Sequence, residues 1–154
     1  MKEIEGKIGE ILIAHGLITE EELQRALEIQ ARTNVLIGTV LLRCTKLKEE
    51  DLLKALSKQF NLPFVTLKDK YIDWALVTKF SASLVLDNKC FPISQDDASV
   101  TMAVNNPLDV WGVKRAEEEA GTLGGLKVKL VLVSKADLEE VIDRYKIYIR
   151  EGKK

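Results

Sequence analysis

The sequence contains few of the residues on which catalytic and metal sites usually depend. It has one histidine and two cysteines in 154 residues, and the cysteines, Cys44 and Cys90, lie far apart and belong to no C-x-x-C pair. Zinc chemistry of the H-E-x-x-H type is excluded because it needs a second histidine. We therefore expect two reduced thiols in the core of a cytoplasmic protein, with a disulfide or a zinc site as alternatives.

Long apolar stretches and an excess of one charge are also missing. No run approaches the roughly 18 apolar residues of a membrane span, and the N-terminus has no apolar signal segment. The 23 basic and 24 acidic residues give a formal net charge of -1, which gives no electrostatic reason to expect nucleic acid or a membrane as partner. We expect a cytoplasmic location, peripheral to the inner membrane only through a partner, and no direct membrane insertion.

No catalytic motif is complete. A P-loop requires G-x-x-x-x-G-K-[ST], and the nearest segment, residues 121–127, has the wrong spacing and no Ser or Thr after the lysine. The lone His15 is expected to have a structural role on a helix face. The acidic runs 96–97 and 117–119 are interpreted as a turn and a solvated helix face. We therefore expect no enzymatic activity in this chain.

The first sixty residues contain an internal repeat. Residues 7–30 align with residues 36–59 at a shift of 29 positions, without a gap. Nine aligned pairs are identical: Ile8/Ile37, Gly9/Gly38, Leu12/Leu41, Glu20/Glu49, Glu21/Glu50, Leu23/Leu52, Ala26/Ala55, Leu27/Leu56 and Gln30/Gln59. Chance explains so many matches poorly, so we infer two copies of one unit.

Each unit has the pattern of a helix, a turn and a second helix. In the first unit, Gly16 can take the left-handed conformation that closes a helix. Thr19 and Glu22 then form a capping box for the next helix. Lys48 replaces Thr19 in the second unit, so that cap is weaker. Because the apolar faces of the two units can cover each other, we predict a four-helix subdomain over residues 1–63.

The remaining residues predict a small α/β subdomain over residues 64–150. Asn61-Leu62-Pro63 ends the fourth helix, and Phe64 to Leu67 form a strand or extended linker. Short helices are predicted at 71–79 and from Ser81.

Further along, segments 90–93 and 99–104 favour strands that a turn at 95–97 joins into a hairpin. A helix capped by Asp109 is followed by a strand at 127–133 and a helix at 135–149 that Ser134 caps. The predicted fold class is therefore α+β: a tandem-repeat helical subdomain, then a subdomain with a three-stranded sheet.

The double repeat resembles the N-terminal domain of type II secretion and type IV pilus-assembly ATPases, in the version that binds cyclic di-GMP. That family has two motifs of the form R-L-G-x-x-L-x-x-x-G-x6-L-x-x-x-L-x-x-Q, separated by a short spacer. The first motif here comprises Lys7, Ile8, Gly9, Leu12, Gly16, Leu23, Leu27 and Gln30. After the spacer 31–35, the second comprises Leu36, Ile37, Gly38, Leu41, Thr45, Leu52, Leu56 and Gln59. The segments 62–65 and 103–109 also resemble the family.

The resemblance implies that these motif residues bind cyclic di-GMP, but three positions depart from it. Lys7 and Leu36 stand where the family has arginine, which can hold a guanine edge by two parallel hydrogen bonds. Losing one such contact costs about 1–3 kcal/mol. Thr45 replaces a glycine, and we expect it to be strained by the left-handed conformation that glycine takes freely.

Two functions therefore stay open. The resemblance implies a non-catalytic docking or regulatory domain, whose partners are the cytoplasmic part of an inner-membrane component and an ATPase domain. Exposed apolar residues on the first subdomain would favour this function. The alternative is a cyclic di-GMP receptor with no other cofactor. In that case Gly9 and Gly38 would let backbone N–H groups approach the ligand, although both glycines equally suit close helix packing.

Overall fold

The computed structural model describes residues 2–107 and 109–152, and within residues 2–7 it describes the backbone only. The chain forms two compact units, Met1–Asn61 and Leu62–Lys154. The elements of the described residues are α1 (Lys2–Ala14), α2 (Glu20–Thr33), α3 (Ile37–Cys44), α4 (Glu49–Phe60), α5 (Trp74–Val77), α6 (Ala82–Leu86), β1 (Phe91–Gln95), β2 (Ser99–Val104), α7 (Val110–Gly121), β3 (Lys127–Leu132) and α8 (Lys135–Arg150). None of these helices has the length and apolar character needed to cross a membrane.

The first unit consists of helices α1 to α4. Helix α2 packs against α3, and α1 packs against α4, so each repeat covers the apolar face of the other. Two equivalent pairs of side chains, Ile8/Ile37 and Leu12/Leu41, are completely buried. The predicted four-helix arrangement of the repeat is therefore what the chain forms.

Local signals begin and end these helices as the sequence predicts. The Glu22 N–H donates to Thr19 Oγ1 at 3.1 Å, and the Thr19 N–H donates to Glu22 Oε1 at 2.9 Å, which completes the capping box. Lys48 makes no side-chain cap at the start of α4. Asn61 ends α4 in the left-handed conformation, with φ of 53°.

Gly16 closes α1 in the first repeat. Its φ is +70°, its N–H donates to the Ile13 carbonyl at 2.9 Å, and the Leu17 N–H donates to the Leu12 carbonyl at 2.9 Å. This pair of hydrogen bonds is a Schellman closure, which requires a residue that tolerates positive φ.

Thr45 closes α3 in the second repeat by a different route. Its φ is -133° and its ψ is 178°, so the strain expected at this position was wrongly predicted. The Thr45 hydroxyl donates to the Leu41 carbonyl at 2.7 Å and accepts from the Leu47 N–H at 3.1 Å. The side chain thus satisfies backbone groups at the end of the helix, and the chain leaves in an extended conformation.

The second unit is built on a three-stranded sheet with the order β1-β2-β3. Strands β1 and β2 form the predicted antiparallel hairpin, and β3 pairs with β2 in parallel. Helix α7 connects the two parallel strands, and an isolated bridge joins Phe64 to Leu132. The predicted α+β class with a three-stranded sheet is confirmed.

Helix α5 is shorter than the predicted helix at 71–79. Asp73 caps it by accepting from the Leu76 N–H at 3.2 Å, and the Thr78 hydroxyl donates back to the Trp74 carbonyl at 2.9 Å. The preceding Ile72 lies in the core of this unit instead of in a helix.

The core of the second unit gathers side chains from most of its elements. Trp74 stacks on Tyr148 with ring centroids 4.5 Å apart and meets Phe91 edge to face at 6.4 Å. The buried members of this core are Leu67, Ile72, Val77, Val85, Phe91, Ala103, Val131, Val133, Leu138, Val141, Ile142 and Tyr145.

Candidate functional site

The two glycines at the centre of the tandem motif are buried beneath equivalent leucines. A Cβ added to Gly9 would lie 2.6 Å from both δ-carbons of Leu23. A Cβ added to Gly38 would lie 3.1 Å from one δ-carbon of Leu52. The absence of a side chain therefore lets the second helix of each repeat approach the first.

The backbone surroundings of the two glycines differ. Gly9 lies inside α1, which begins at Lys2, whereas Gly38 is the second residue of α3. The N–H of Gly38 is therefore one of the first-turn donors that have no acceptor within their own helix. Leu36 precedes this helix at the cap position and supplies no side-chain hydrogen bond to it.

The other predicted site residues differ in their burial. Most of the apolar ones belong to the core of the first unit: Ile8, Leu12, Leu23, Ile37, Leu41, Leu52 and Leu56. Leu27, Leu36, Thr45, Gln30 and Gln59 are half-buried, and Gly16 is exposed. Lys7 lies in α1, but its side chain is outside the described atoms. The assignment of these residues to a ligand stays a proposal.

A groove lies between α1 and α2 in the first unit. It was not foreseen from the sequence, where its residues are scattered among helix faces. Its lining residues are Glu10, Ile13, Glu20, Glu21, Leu23, Gln24, Arg25 and Glu28.

Exposed large apolar side chains occur in the second unit. Within the described residues these are Phe64, Tyr71, Val110, Trp111 and Ile147. None belongs to the first unit, so the exposed apolar surface that would favour docking there is absent from its described side chains. Trp111 is 76% exposed and Tyr71 is 83% exposed. The sequence contained a signal for the exposure of Trp111. The buried face of α7 consists of Gly112, Ala116 and Ala120, which follow helical spacing, and Trp111 does not belong to this face.

The first turn of α7 is capped and packs closely on its neighbours. Asp109 caps it by accepting from the Gly112 N–H at 3.2 Å. A Cβ added to Gly112 would lie 3.4 Å from the Asn88 backbone oxygen and 3.1 Å from Asp109 Oδ2, so this turn packs closely on the residues before β1. Trp111 is therefore exposed to solvent from a capped and closely packed helix turn.

Glu119 corrects the interpretation of residues 117–119 as a solvated face. It is half-buried and accepts from the Ser81 N–H at 2.8 Å, from Ser81 Oγ at 2.6 Å and from Arg115 Nε at 3.3 Å. Burial raises the pKa of this carboxyl, but the hydrogen bonds from Ser81 and Arg115 outweigh burial, and the net pKa is lower than its ordinary value. Glu119 thus ties α7 to the start of α6.

Asp96 holds the predicted hairpin turn. Its Oδ1 accepts from the N–H groups of Ala98 and Ser99, both at 2.8 Å. These backbone hydrogen bonds lower the pKa of the carboxyl. The role of Asp96 is therefore to shape the turn, as the sequence indicated.

The two cysteines have different environments, and the expectation that both lie in the core is wrong. Both are free, but Cys44 is exposed at the end of α3 and only Cys90 is buried. Burial, followed by the charges of Asp109 and Glu119, raises the pKa of the Cys90 thiol to about 12. Within the described residues, no three His, Cys, Asp or Glu side chains are grouped to hold a metal ion.

Comparison with known families identifies the domain. Residues 60–151, more than half of the chain, match the model of the MshEN domain. The chain belongs to the MshEN domain family. This domain is the N-terminal domain of type IV pilus and type II secretion ATPases, so the family resemblance of the sequence is confirmed.

Two curated relatives of this MshEN domain are type IV pilus assembly ATPases named PilB. The protein from Myxococcus xanthus is 26% identical over 147 residues, which are 96% of this chain and 25% of the relative. The protein from Thermus thermophilus is 29% identical over 117 residues, or 75% of this chain and 13% of the relative. The chain spans a quarter or less of the length of these relatives.

Solved structures share the fold of this MshEN domain. A structure of MshE with cdg (cyclic di-GMP) superposes with a TM-score of 0.78 at 23% identity, over 90% of this chain and 97% of that one. The N-terminal domain of XpsE superposes with a TM-score of 0.72 at 17% identity, over 92% of this chain and 94% of that one. At these identities the likeness establishes the fold alone.

Proposed function

We propose that this MshEN domain is a non-catalytic docking and regulatory domain, which joins a pilus or secretion ATPase to the cytoplasmic part of an inner-membrane component. The observation that carries this proposal is the exposure of Trp111 and Val110 on the first turn of α7. Tryptophan is enriched among the residues that dominate binding energy at protein interfaces. Exposed apolar side chains of this size are a usual mark of an interaction site.

The cap and the close packing of the α7 turn add to this argument. Because Asp109 caps the turn and Gly112 packs closely beneath it, a partner would meet Trp111 with little ordering of the backbone. Preorganisation of this kind lowers the entropic cost of association. Tyr71 offers a comparison, since it is equally exposed but is not part of a helix.

The proposal is tested by binding of the purified domain to the cytoplasmic part of the inner-membrane component. Trp111→Ala should weaken binding by at least about 30-fold, since truncation of a central interface residue costs about 2 kcal/mol or more. Tyr71→Ala is the matched control and should bind as the wild type does. Urea unfolding of both variants checks that the fold is retained. Wild-type binding by Trp111→Ala would overturn the role given to α7.

A second candidate function is regulation by cyclic di-GMP at the tandem motif. Two observations favour it: the likeness of the fold to MshE with cdg, and the N–H of Gly38 at the uncapped start of α3. Amides at a helix N-terminus are suited to anionic groups such as phosphate. The absence of arginine at Lys7 and Leu36 acts against tight binding.

Calorimetric titration with cyclic di-GMP tests this candidate. Saturable binding at micromolar concentration that Lys7→Ala weakens about tenfold or more would support it. Leu36→Arg restores the family residue in the second motif and should strengthen binding. If the wild type gives no binding heat and no thermal shift at ligand excess, the receptor function is ruled out.

A further inference from the structure

The α1–α2 groove combines an apolar floor with an acidic rim. Its floor is formed by Ile13, which is half-buried, and Leu23, which is buried. Its rim carries the carboxylates of Glu10, Glu20, Glu21 and Glu28, all of them exposed. Four carboxylates against the single guanidinium of Arg25 leave the groove with a net charge of -3.

These charges are not neutralised within the described residues. The ion pairs Lys54–Glu50, Arg115–Glu119, Lys129–Asp96 and Lys146–Asp143 all lie outside the groove. The second repeat makes the contrast clear. Lys54 and Glu50, which pair at 3.1 Å, are the equivalents of Arg25 and Glu21, which do not pair.

The fold of the repeat does not require the acidic rim. Glu20 and Glu21 have acidic equivalents in the second repeat, and carboxylates in the first turn of a helix are stabilised by its dipole. Glu10 and Glu28 have no such explanation. Their equivalents in the second repeat are Thr39 and Ser57, and that repeat forms the same pair of helices.

We infer that the α1–α2 groove docks a basic amphipathic helix of the inner-membrane component, an inference that rests on the docking function proposed above. An apolar floor between carboxylates complements a helix that has one apolar face flanked by Lys and Arg. Cytoplasmic segments next to membrane spans are enriched in these residues, so the component has suitable chemistry. The same carboxylates repel anionic lipids.

The first test uses the whole chain and a synthetic probe. The probe is a helix of about five turns with leucine on one face and lysine elsewhere, and its counterpart has glutamate in place of lysine. The double variant Glu10→Thr/Glu28→Ser gives the first repeat the residues of the second. It should bind the lysine probe at least about tenfold more weakly than the wild type does. The glutamate peptide should not bind.

A matched variant separates the groove from overall charge. Glu139→Thr/Glu140→Ser makes the same change in charge on exposed positions of α8 and should bind the lysine probe as the wild type does. Equal losses in the two variants, or no loss in the groove variant, would overturn the inference. So would concentration-dependent self-association that the groove variant abolishes, since the occupant would then be a second copy of the chain.

A second test, with the cytoplasmic part of the inner-membrane component, separates this inference from the proposed function. Weaker binding of the component by the groove variant supports both. If wild type and groove variant bind it equally, the groove inference falls and the docking function stands. If the wild type binds the lysine probe in its groove but does not bind the component, the docking function falls. The groove would then still accept a basic helix, but this component would not be the source of that helix.

Discussion

Leu23 covers Gly9 so closely that a Cβ added to Gly9 would lie 2.6 Å from both δ-carbons of the leucine. A Cβ added to Gly38 would lie farther away, at 3.1 Å from one δ-carbon of Leu52. We predict that Gly9→Ala destabilises the chain more than Gly38→Ala. Overpacking costs about 1–3 kcal/mol, and the better helix propensity of alanine offsets about 1 kcal/mol of it. Urea unfolding should show a loss for Gly9→Ala and little change for Gly38→Ala.

A double-mutant cycle provides the control. In a Leu23→Ala background, Gly9→Ala should no longer be destabilising, because the contact that it disturbs has been removed. Equal unfolding midpoints for the two alanine variants would contradict the packing that we describe.

Exchanging the turn residues of the two repeats should destabilise both turns, each for a different reason. Gly16→Thr places a β-branched residue at φ of +70° and should cost about 1–2 kcal/mol. Thr45→Gly gains nothing, because φ is -133° there, and loses the hydroxyl contacts to Leu41 and Leu47, worth about 1 kcal/mol. Thr45→Ser keeps the hydroxyl and serves as the control. A stabilising Thr45→Gly would refute this account.

The two thiols should differ sharply in reactivity. Thiol reagents attack through the thiolate, and the pKa of about 12 at the buried Cys90 keeps that group protonated at neutral pH. One thiol per chain should therefore react rapidly with a disulfide reagent, and Cys44→Ser should remove that fast phase. Cys90 should react only after unfolding in guanidinium. Similar rates for both thiols in the folded chain would be inconsistent with this burial.

Glu119 should contribute to acid sensitivity. Its pKa in the folded chain is lower than the ordinary 4.5, so the unfolded chain binds the proton more readily. The contribution of Glu119 to stability is therefore present above about pH 4.5 and is lost as the pH falls through the lowered folded pKa. Glu119→Gln should lower the free energy of unfolding at neutral pH and flatten its decline in acid. Glu118→Gln, which removes the carboxylate of an exposed neighbour, is the matched control.

Features that depend on a few neighbouring residues could be predicted from the sequence. The capping box of Thr19 and Glu22, the closure at Gly16 and the turn at Asp96 are all local, and the structure contains each of them. The repeat also predicted a feature beyond local structure, because it aligns Ile8 with Ile37, and both side chains are buried.

Contacts between distant residues could not be predicted in this way. Nothing near Glu119 in the sequence indicates Ser81, 38 residues away. The exposure of Cys44 could not be predicted either, and the structure exposes its equivalent in the first repeat, His15, as well. At the candidate site, sequence identifies the motif residues. It does not decide between packing and ligand binding, because a buried leucine serves either purpose.

Each edge of the sheet carries a feature that hinders strand addition. Strand β1 contains Pro92, which has no N–H to donate, and its register shifts between Pro92 and Ser94. At the opposite edge, the Val65 N–H donates to the Leu132 carbonyl at 2.9 Å, and the Leu132 N–H donates to the Pro63 carbonyl at 2.8 Å. Open edges invite pairing with other chains and aggregation. Neither edge therefore offers an uninterrupted row of free backbone groups to a strand of a neighbouring copy.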